Sequence, residues 1–401
     1  MSRMPALDGV RIADFSQLYQ GPLATMILAD LGAEVVKVEP PKGDFMRSWS
    51  LGDGYLQGES LSFLAVNRNK RSICLNLKSA SGLAAARKLI AASDVVIENF
   101  RPGVMQRLGL GYETLADENP RIVYCASSGY GPTGPYRDFP GQDLLVQALG
   151  GTMWLNGSKE DPPTAVGFGI ADVAGGFHIV YGVLAALLER TNSGLGQRVD
   201  VNLFNSLMAV QGHEFSYYLN TGNEPERPVA NGTAAYTGAP LGVYATANGY
   251  LAIAMMSVGR LAGLIGVPEL VTLDSANVMA ERDALHDRLE TQFRTATTEH
   301  WLARLRAADV WCAPVQSFAE VAKDPQLAHN EMIRSMHHPL VGDIKMMGPA
   351  VSFSASPQLL KSPPPLLGQH TAAVLADLGY DGSEIEAMKQ AGAAIETPIP
   401  S

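Results

Sequence analysis

Along the first two hundred positions, short runs of consecutive apolar residues alternate with segments whose apolar residues recur every three or four positions. VRIADF from Val10, EVVKVEP from Glu34, RSICLNL from Arg71, DVVIENF from Asp94 and RIVYCASS from Arg121 have the near-continuous apolar content of strands buried on both faces. LATMILADLG and GLAAARKLIAAS between them have helical spacing, and Ser79 or Ser81 is placed to cap the second. PGVMQRLGL opens a short helix with Pro102 in its first turn, and YETLADENP gives another that ends at Asn119 and Pro120. Strand, helix and strand within about thirty residues form a βαβ unit, whose handed crossover makes the sheet parallel. Residues 1–200 therefore predict a doubly wound, Rossmann-like α/β domain.

The stretch from Pro162 to Gln197 departs from that rhythm. After a glycine-interrupted approach at Gly167 and Gly169, large apolar residues fall at Val180, Val183, Leu184, Leu187 and Leu188, the spacing of a helix face packed into a core. Asp172 sits where an N-cap belongs, and Gly175 and Gly176 let a second backbone or a ligand come close. A carboxylate on so rigid an element serves either as a cap or as a nucleophile. The residues alone leave both readings open.

Beyond position 200 the organisation changes. QRVDVNL continues the first domain, NSLMAVQGHEFSYYLNTG is helical, and residues 201–225 are read as the linker to a second domain. Residues 226–330 predict a smaller α+β domain: GVYATANGYLAIAM is a hairpin turning at Asn248 and Gly249, followed by two helical segments and VWCAPVQSFAEVAKDPQ, a strand running into a helix. In the tail, PLVGDIKMMGPAVSFSAS is β-like, the prolines at 363–365 form a rigid spacer, and TAAVLADLGYDGSEIEAMKQAGA predicts two short helices.

A chain of 401 residues exceeds what one core usually holds, and 46% hydrophobic against 17% charged residues excludes global disorder. The formal net charge of −10 argues against nucleic acid or anionic membranes as partners. No apolar run reaches the roughly 18 residues of a membrane span, and the first residues lack the apolar block of a signal peptide, so a cytoplasmic protein is expected. Cys74, Cys125 and Cys312 lie far apart in apolar segments, and the adjacent His337 and His338 would point to opposite strand faces, so no metal site is expected. The G-x-G-x-x-G at Gly129, Gly131 and Gly134 is stiffened by Pro132 and Pro135 and opens no helix, which argues against a dinucleotide fingerprint. Neither a phosphate-binding G-x-x-x-x-G-K-[ST] nor a G-x-S-x-G is present. Against the acidic average stands a basic cluster of Arg68, Lys70, Arg71, Lys78, Arg101 and Arg107, which suits a phosphorylated ligand at one edge of the sheet.

LADLGAEVVKVEPPKGD, NRNKRSICLNLK, DVVIENFRPGVMQRLGLGYETL, SSGYGPTGPYRDFPGQDLLVQALGG, ADVAGGFHIVYGVLAALLERTNSGLGQRVDV and LLGQHTAAVLADLGY, in that order, resemble the class III CoA-transferase family, whose fold the α-methylacyl-CoA racemases share. The resemblance implies a large Rossmann-like domain built from both chain ends, 1–200 and 331–401, and two ring-shaped subunits interlocked as a homodimer. It implies that Asp172 is the catalytic aspartate and that Leu75, Asn76, Leu77, Lys78, Asn99, Phe100, Arg101 and Arg107 line a CoA site. Tyr19 and Gln20 match the loop beside the thioester, and Gln142 and Asp143 are counted with the same site. CoA and its thioesters enter as substrate together with a small carboxylic acid, with no tightly bound cofactor.

Two departures qualify it. Where the racemases carry histidine in a Gly-His-Asp passage, this chain has Gly141, Gln142 and Asp143, and glutamine has no proton to exchange near neutral pH. Gln20 replaces a small residue before Gly-Pro. The expected chemistry is therefore CoA transfer through an aspartyl anhydride and a β-aspartyl-CoA thioester at Asp172, with an acyl-CoA isomerase or racemase, or intramolecular CoA transfer, as the alternative. Gln20 or backbone N–H groups at the Asp172 helix are expected to hold the oxyanion, and ANGTAAYTGAP around Gly232 and Gly238 is the expected flap.

Overall fold

The computed structural model describes residues 4–229, 232–270 and 278–399. The chain divides into two compact units, one of Met1–Val146, Gly169–Ala209 and Ala328–Ser401, the other of Gln147–Phe168 and Val210–Leu327.

The first unit is built on a seven-stranded sheet. Six strands are parallel, in the order Lys70–Leu75, Glu34–Glu39, Arg11–Asp14, Val95–Glu98, Val123–Ser128, Arg198–Asn202. Numbered along the chain this is 3-2-1-4-5-6, the doubly wound order, which reverses direction between the first and fourth strands. The seventh, Ala394–Ile395, adds itself antiparallel to the edge at Leu75 and Cys74. Side-chain alternation makes two core layers. Ile12, Val35, Val95, Ile97, Val123 and Cys125 face Leu28, Ile179 and Val183 of the helices Gln20–Asp30 and Ile170–Ser193. Ala13, Val36, Val96 and Tyr124 face Leu89 and Ile90 of Ala80–Ala91 together with Val374, Leu375 and Met388 from the C-terminal helices. Full burial of each large apolar side chain contributes roughly 1.5–3 kcal/mol.

Helix Ile170–Ser193 corrects three expectations. Its 24 residues are long and apolar enough to cross a membrane, although no such run was expected; here Ile179, Val183 and Leu187 are packed into the core as in an interior helix. Leu188 was placed on the buried face but is 67% exposed, because the 3.6-residue period centres that face on Ile179, Val183, Ala186 and Leu187. The N-cap is Gly169, and Asp172 lies inside the first turn.

The second unit carries a three-stranded antiparallel sheet in the order Cys312–Pro314, Tyr250–Ile253, Gly242–Ala245. The hairpin turns at Asn248 and Gly249 as expected, closed by Thr246 N–H donating to the Gly249 carbonyl at 2.8 Å. Tyr244, Leu251, Leu261, Leu289, Phe293 and Trp301 fill its core. Residues 147–168, read as part of the first domain, fall in this unit because their bonds run to 226–228: Lys159 N–H reaches the Pro228 carbonyl at 2.6 Å and the Lys159 ammonium pairs with Glu226 at 2.5 Å. The span 201–225, read as a linker, contains two helices, Leu203–Val210 and Gly212–Thr221. Of the expected flap, residues 230 and 231 lie outside the described residues. Gly232 and Gly238 are packed rather than loose: a Cβ on Gly232 would lie 2.3 Å from His286 Nε2, and one on Gly238 2.7 Å from Val278 Cγ1.

Candidate active site

The direction reversal in the sheet places the carboxyl ends of Arg11–Asp14 and Val95–Glu98 side by side, and doubly wound sheets bind ligands at that position. The loops leaving these strands are tied to each other. The Asn99 side chain accepts from Gln17 N–H and donates to the Gln17 carbonyl, both at 2.8 Å. Buried Lys37 donates to the Ser16 carbonyl at 2.8 Å and pairs with Asp44 at 2.8 Å, while Asp44 Oδ1 accepts from Leu18 N–H at 3.0 Å. Leu18 is held at φ +64°, a left-handed conformation that a branched side chain adopts only when its surroundings enforce it. The loop Ser16–Tyr19 is thus pinned at three successive residues, and it delivers Tyr19 and Gln20 to the start of helix Gln20–Asp30.

Gln20 is 3% exposed. Its Oε1 accepts from Ser127 Oγ at 2.8 Å, and its Nε2 is buried without a hydrogen-bond partner. That amide lies against helix Ile170–Ser193, where a Cβ on Gly175 would come within 2.1 Å of Gln20 Nε2. Gly175 and Gly176 are three and four residues after Asp172, on the same helix face, so the unused donor lies along the face that carries the Asp172 carboxylate. The glycines matter because any side chain at 175 would occupy the place of the amide.

Asp172 is relieved of capping by Asp143, whose Oδ1 accepts from Ala171 N–H at 2.7 Å and from Asp172 N–H at 3.2 Å. Among the described residues no donor bonds to the Asp172 carboxylate and no cation pairs with it. Burial pushes its pKa up to about 7, and the negative charge of Asp143 adds to the rise. The Tyr19 hydroxyl is also raised, by burial and then by the charge of Asp172, which puts the tyrosine in the same field. A half-buried carboxylate with no partner, flanked by a second carboxylate and an unused amide donor, is arranged for chemistry rather than for stability.

At the carboxyl ends of strands Val95–Glu98 and Val123–Ser128, a cavity of about 530 Å³ is lined by Ser127, Phe100, Gly103, Arg107, Arg137 and Arg198 among others, and by none of Tyr19, Gln20, Asp143 and Asp172. A larger one, about 810 Å³, belongs to the second unit, against Trp154, Phe215, Tyr218 and Tyr236, and holds none of the expected site residues.

The expected CoA-lining residues separate in the structure. Phe100 and Arg107 line the first cavity, and Arg101 and Lys78 are exposed on its unit. The Leu75 side chain is sealed in the core at 0% exposure, Leu77 packs against the same core, and Asn76 Oδ1 accepts from Lys78 N–H at 3.1 Å to shape the turn. Asn99 is occupied by Gln17, Asp143 by the helix start, and Gln142 is exposed. Three members of the basic cluster are committed to ion pairs: Arg68 with Asp30 at 2.5 Å, Lys70 with Asp14 at 3.4 Å, and Arg71 with Glu34 at 3.0 Å and Asp377 at 2.8 Å. They hold the fold and are not available to phosphate. Ser127 and Asp44 were not anticipated. The carboxyl end of a parallel strand marks Ser127 as a candidate from sequence; Asp44 carries no local signal.

The sequence model of CoA-transferase family III matches residues 7–371. The chain is 35% identical over 403 residues to the succinyl-CoA:glutarate CoA-transferase of Homo sapiens, covering 98% of this chain and 90% of that one. It is 36% identical over 416 residues to the formyl-CoA:oxalate CoA-transferase of Streptomyces avermitilis, covering 96% and 99%. Among solved structures, a CAIB/BAIF family protein from Brucella suis superimposes with a TM-score of 0.83 at 33% identity, over 94% of this chain and all of that one.

Proposed function

Because this chain belongs to CoA-transferase family III, we propose that it moves CoA from an acyl-CoA donor to a carboxylic acid by covalent relay through Asp172. The Asp172 carboxylate attacks the thioester carbonyl and expels CoA thiolate, leaving an aspartyl-acyl anhydride. The thiolate attacks the aspartyl carbonyl, releasing the donor acid and leaving a β-aspartyl-CoA thioester. The acceptor carboxylate then attacks this thioester, and the returning thiolate takes the acceptor acyl group, restoring the Asp172 carboxylate. Acid and thioester are exchanged with no net consumption of water or protons.

The observation that carries the reading is the placement of a partnerless Asp172 carboxylate on the helix face against which the unused Gln20 amide lies; burial pushes that carboxylate's pKa up to about 7. A carboxylate of ordinary basicity is a far better leaving group than a thiolate, whose parent thiol has a pKa of about 8.5, so the first tetrahedral intermediate would mostly revert. Raising Asp172 from 3.8 to about 7 brings the two leaving groups close to balance. The buried Gln20 Nε2 supplies a donor for the oxyanion and Asp143 fixes the helix start. In the same reading, the chain acts as the interlaced homodimer, supported by Phe177, Tyr181 and Leu188, exposed by 55%, 61% and 67% along one side of the helix that carries Asp172. The named relatives act on glutarate and oxalate, which puts dicarboxylates first among acceptors to be tried.

The test is steady-state transfer by Asp172→Ala and Asp172→Asn with a panel of acyl-CoA donors and acids. Loss of transfer by at least about 10³-fold in both variants is expected; near wild-type turnover in either contradicts the covalent role.

A further inference from the structure

Resting on the transferase reading, we infer that Ser127 is a positioning residue for transfer: its hydroxyl holds the Gln20 amide so that the Nε2 donor, and not the carbonyl oxygen, faces the helix that carries Asp172. The strand Val123–Ser128 sets this up. Side chains alternate along it, so Val123, Cys125 and Ser127 share the face that packs against helices Gln20–Asp30 and Ile170–Ser193. The first two are apolar and fully buried, whereas the third, at the carboxyl end, is a hydroxyl at 2% exposure. A polar group that closes a buried apolar row requires a partner. The one hydrogen bond of that hydroxyl among the described residues is donated to Gln20 Oε1, at 2.8 Å.

The two helices meet beside this bond with no side chain of the second between them. A Cβ on Gly175 would lie 2.1 Å from Gln20 Nε2, and one on Gly176 would lie 3.1 Å from the Gln20 carbonyl oxygen. The Gln20 side chain therefore runs between helix Ile170–Ser193 and the end of the strand, with one end of its amide at Ser127 and the other at Gly175. The two ends of an amide are nearly alike in size, so packing alone does not choose between them. Chemistry does. Turned round, the amide would present oxygen lone pairs to the helix start that holds the Asp172 and Asp143 carboxylates. With Ser127 donating, Oε1 is satisfied and the Nε2 hydrogens are left for an oxyanion forming at Asp172. The same hydrogen bond polarises the amide and strengthens the donor at its far end.

Ser127 also lines the 530 Å³ cavity, so the rival role is direct contact with the ligand, and kinetics tell the two apart. Ser127→Ala is assayed for transfer alone and combined with Gln20→Ala, beside wild type, Gln20→Ala and Asp172→Asn. A positioning residue predicts that Ser127→Ala lowers kcat about 5- to 30-fold with little change in KM for the CoA donor, the size of one buried hydrogen bond left unmade. In the Gln20→Ala background the same substitution lowers kcat no further, because the group it positions is gone. Ser127→Cys, which keeps the volume with a weaker donor, falls between wild type and Ser127→Ala. An unchanged kcat in Ser127→Ala, an equal loss in both backgrounds, or a change confined to KM overturns the role. Transfer retained by Asp172→Asn would defeat the transferase reading itself, whereas its loss there with an unimpaired Ser127→Ala leaves that reading standing and removes only the role of Ser127.

Discussion

Replacing Asp172 by asparagine should make the protein more stable, by an amount that grows from near zero at about pH 4 to its full value above about pH 7. The folded-state pKa of about 7 lies above the ordinary 3.8, so between these values the folded chain binds a proton that the unfolded chain has released. Stability is therefore lost as pH rises through this window, and the loss is complete above the folded pKa. Three pKa units correspond to about 4 kcal/mol. Since Asp172 is half-buried and keeps some contact with solvent, roughly 2–4 kcal/mol is expected. Asparagine carries no charge to bury and keeps the shape. The assay is thermal unfolding of wild type and Asp172→Asn across pH 4 to 8.5. The two melt together near pH 4, and above pH 7.5 the variant melts roughly 5–10 °C higher, since about 1 kcal/mol shifts a unit of this size by 2–4 °C. The raised Glu98 titrates in both proteins and cancels in the difference. A gap that does not change with pH would mean that Asp172 is ionised at ordinary cost, and the case for its raised basicity would collapse.

Asp143→Asn keeps an acceptor for Ala171 N–H and removes the charge that adds to the effect of burial on Asp172, so the acidic limb of the pH–rate profile moves to lower pH; an unmoved limb separates the two carboxylates. Gln20→Ala removes the unused amide, and kcat drops about 10²-fold with KM little changed, as for a lost oxyanion donor; a kcat within threefold of wild type rejects that role. Asn99→Ala frees both backbone groups of Gln17, costing about 1–3 kcal/mol in denaturant unfolding along with turnover. If stability is unchanged and only KM for the CoA donor rises, Asn99 contacts the ligand instead of the loop.

The sheet was legible because its strands are apolar on both faces and its helices periodic, so Val35 and Val36, or Val123 and Tyr124, could be assigned to a buried layer without knowing which. The edge strand Ala394–Ile395 was not, since two residues hold no period. At the site, Asp172, Gly175 and Gly176 could be read from local pattern, whereas the cap could not: the carboxylate serving the helix start is Asp143, 29 residues earlier, and nothing near Asp172 signals it. The basic cluster misled for the same reason. Whether Arg68 meets Asp30 or a phosphate depends on a partner 38 residues away, and only the packed structure shows that the partner is already present.

The central claim is that an oxygen of Asp172 bonds covalently to the acyl group and its carbonyl to the CoA sulfur. Hydroxylamine added during turnover should cleave either intermediate and leave a hydroxamate, detected by peptide mass spectrometry on Asp172 alone and only when an acyl-CoA is present. Turnover that proceeds with Asp172 unmodified, or a hydroxamate on Asp143 instead, would contradict the account.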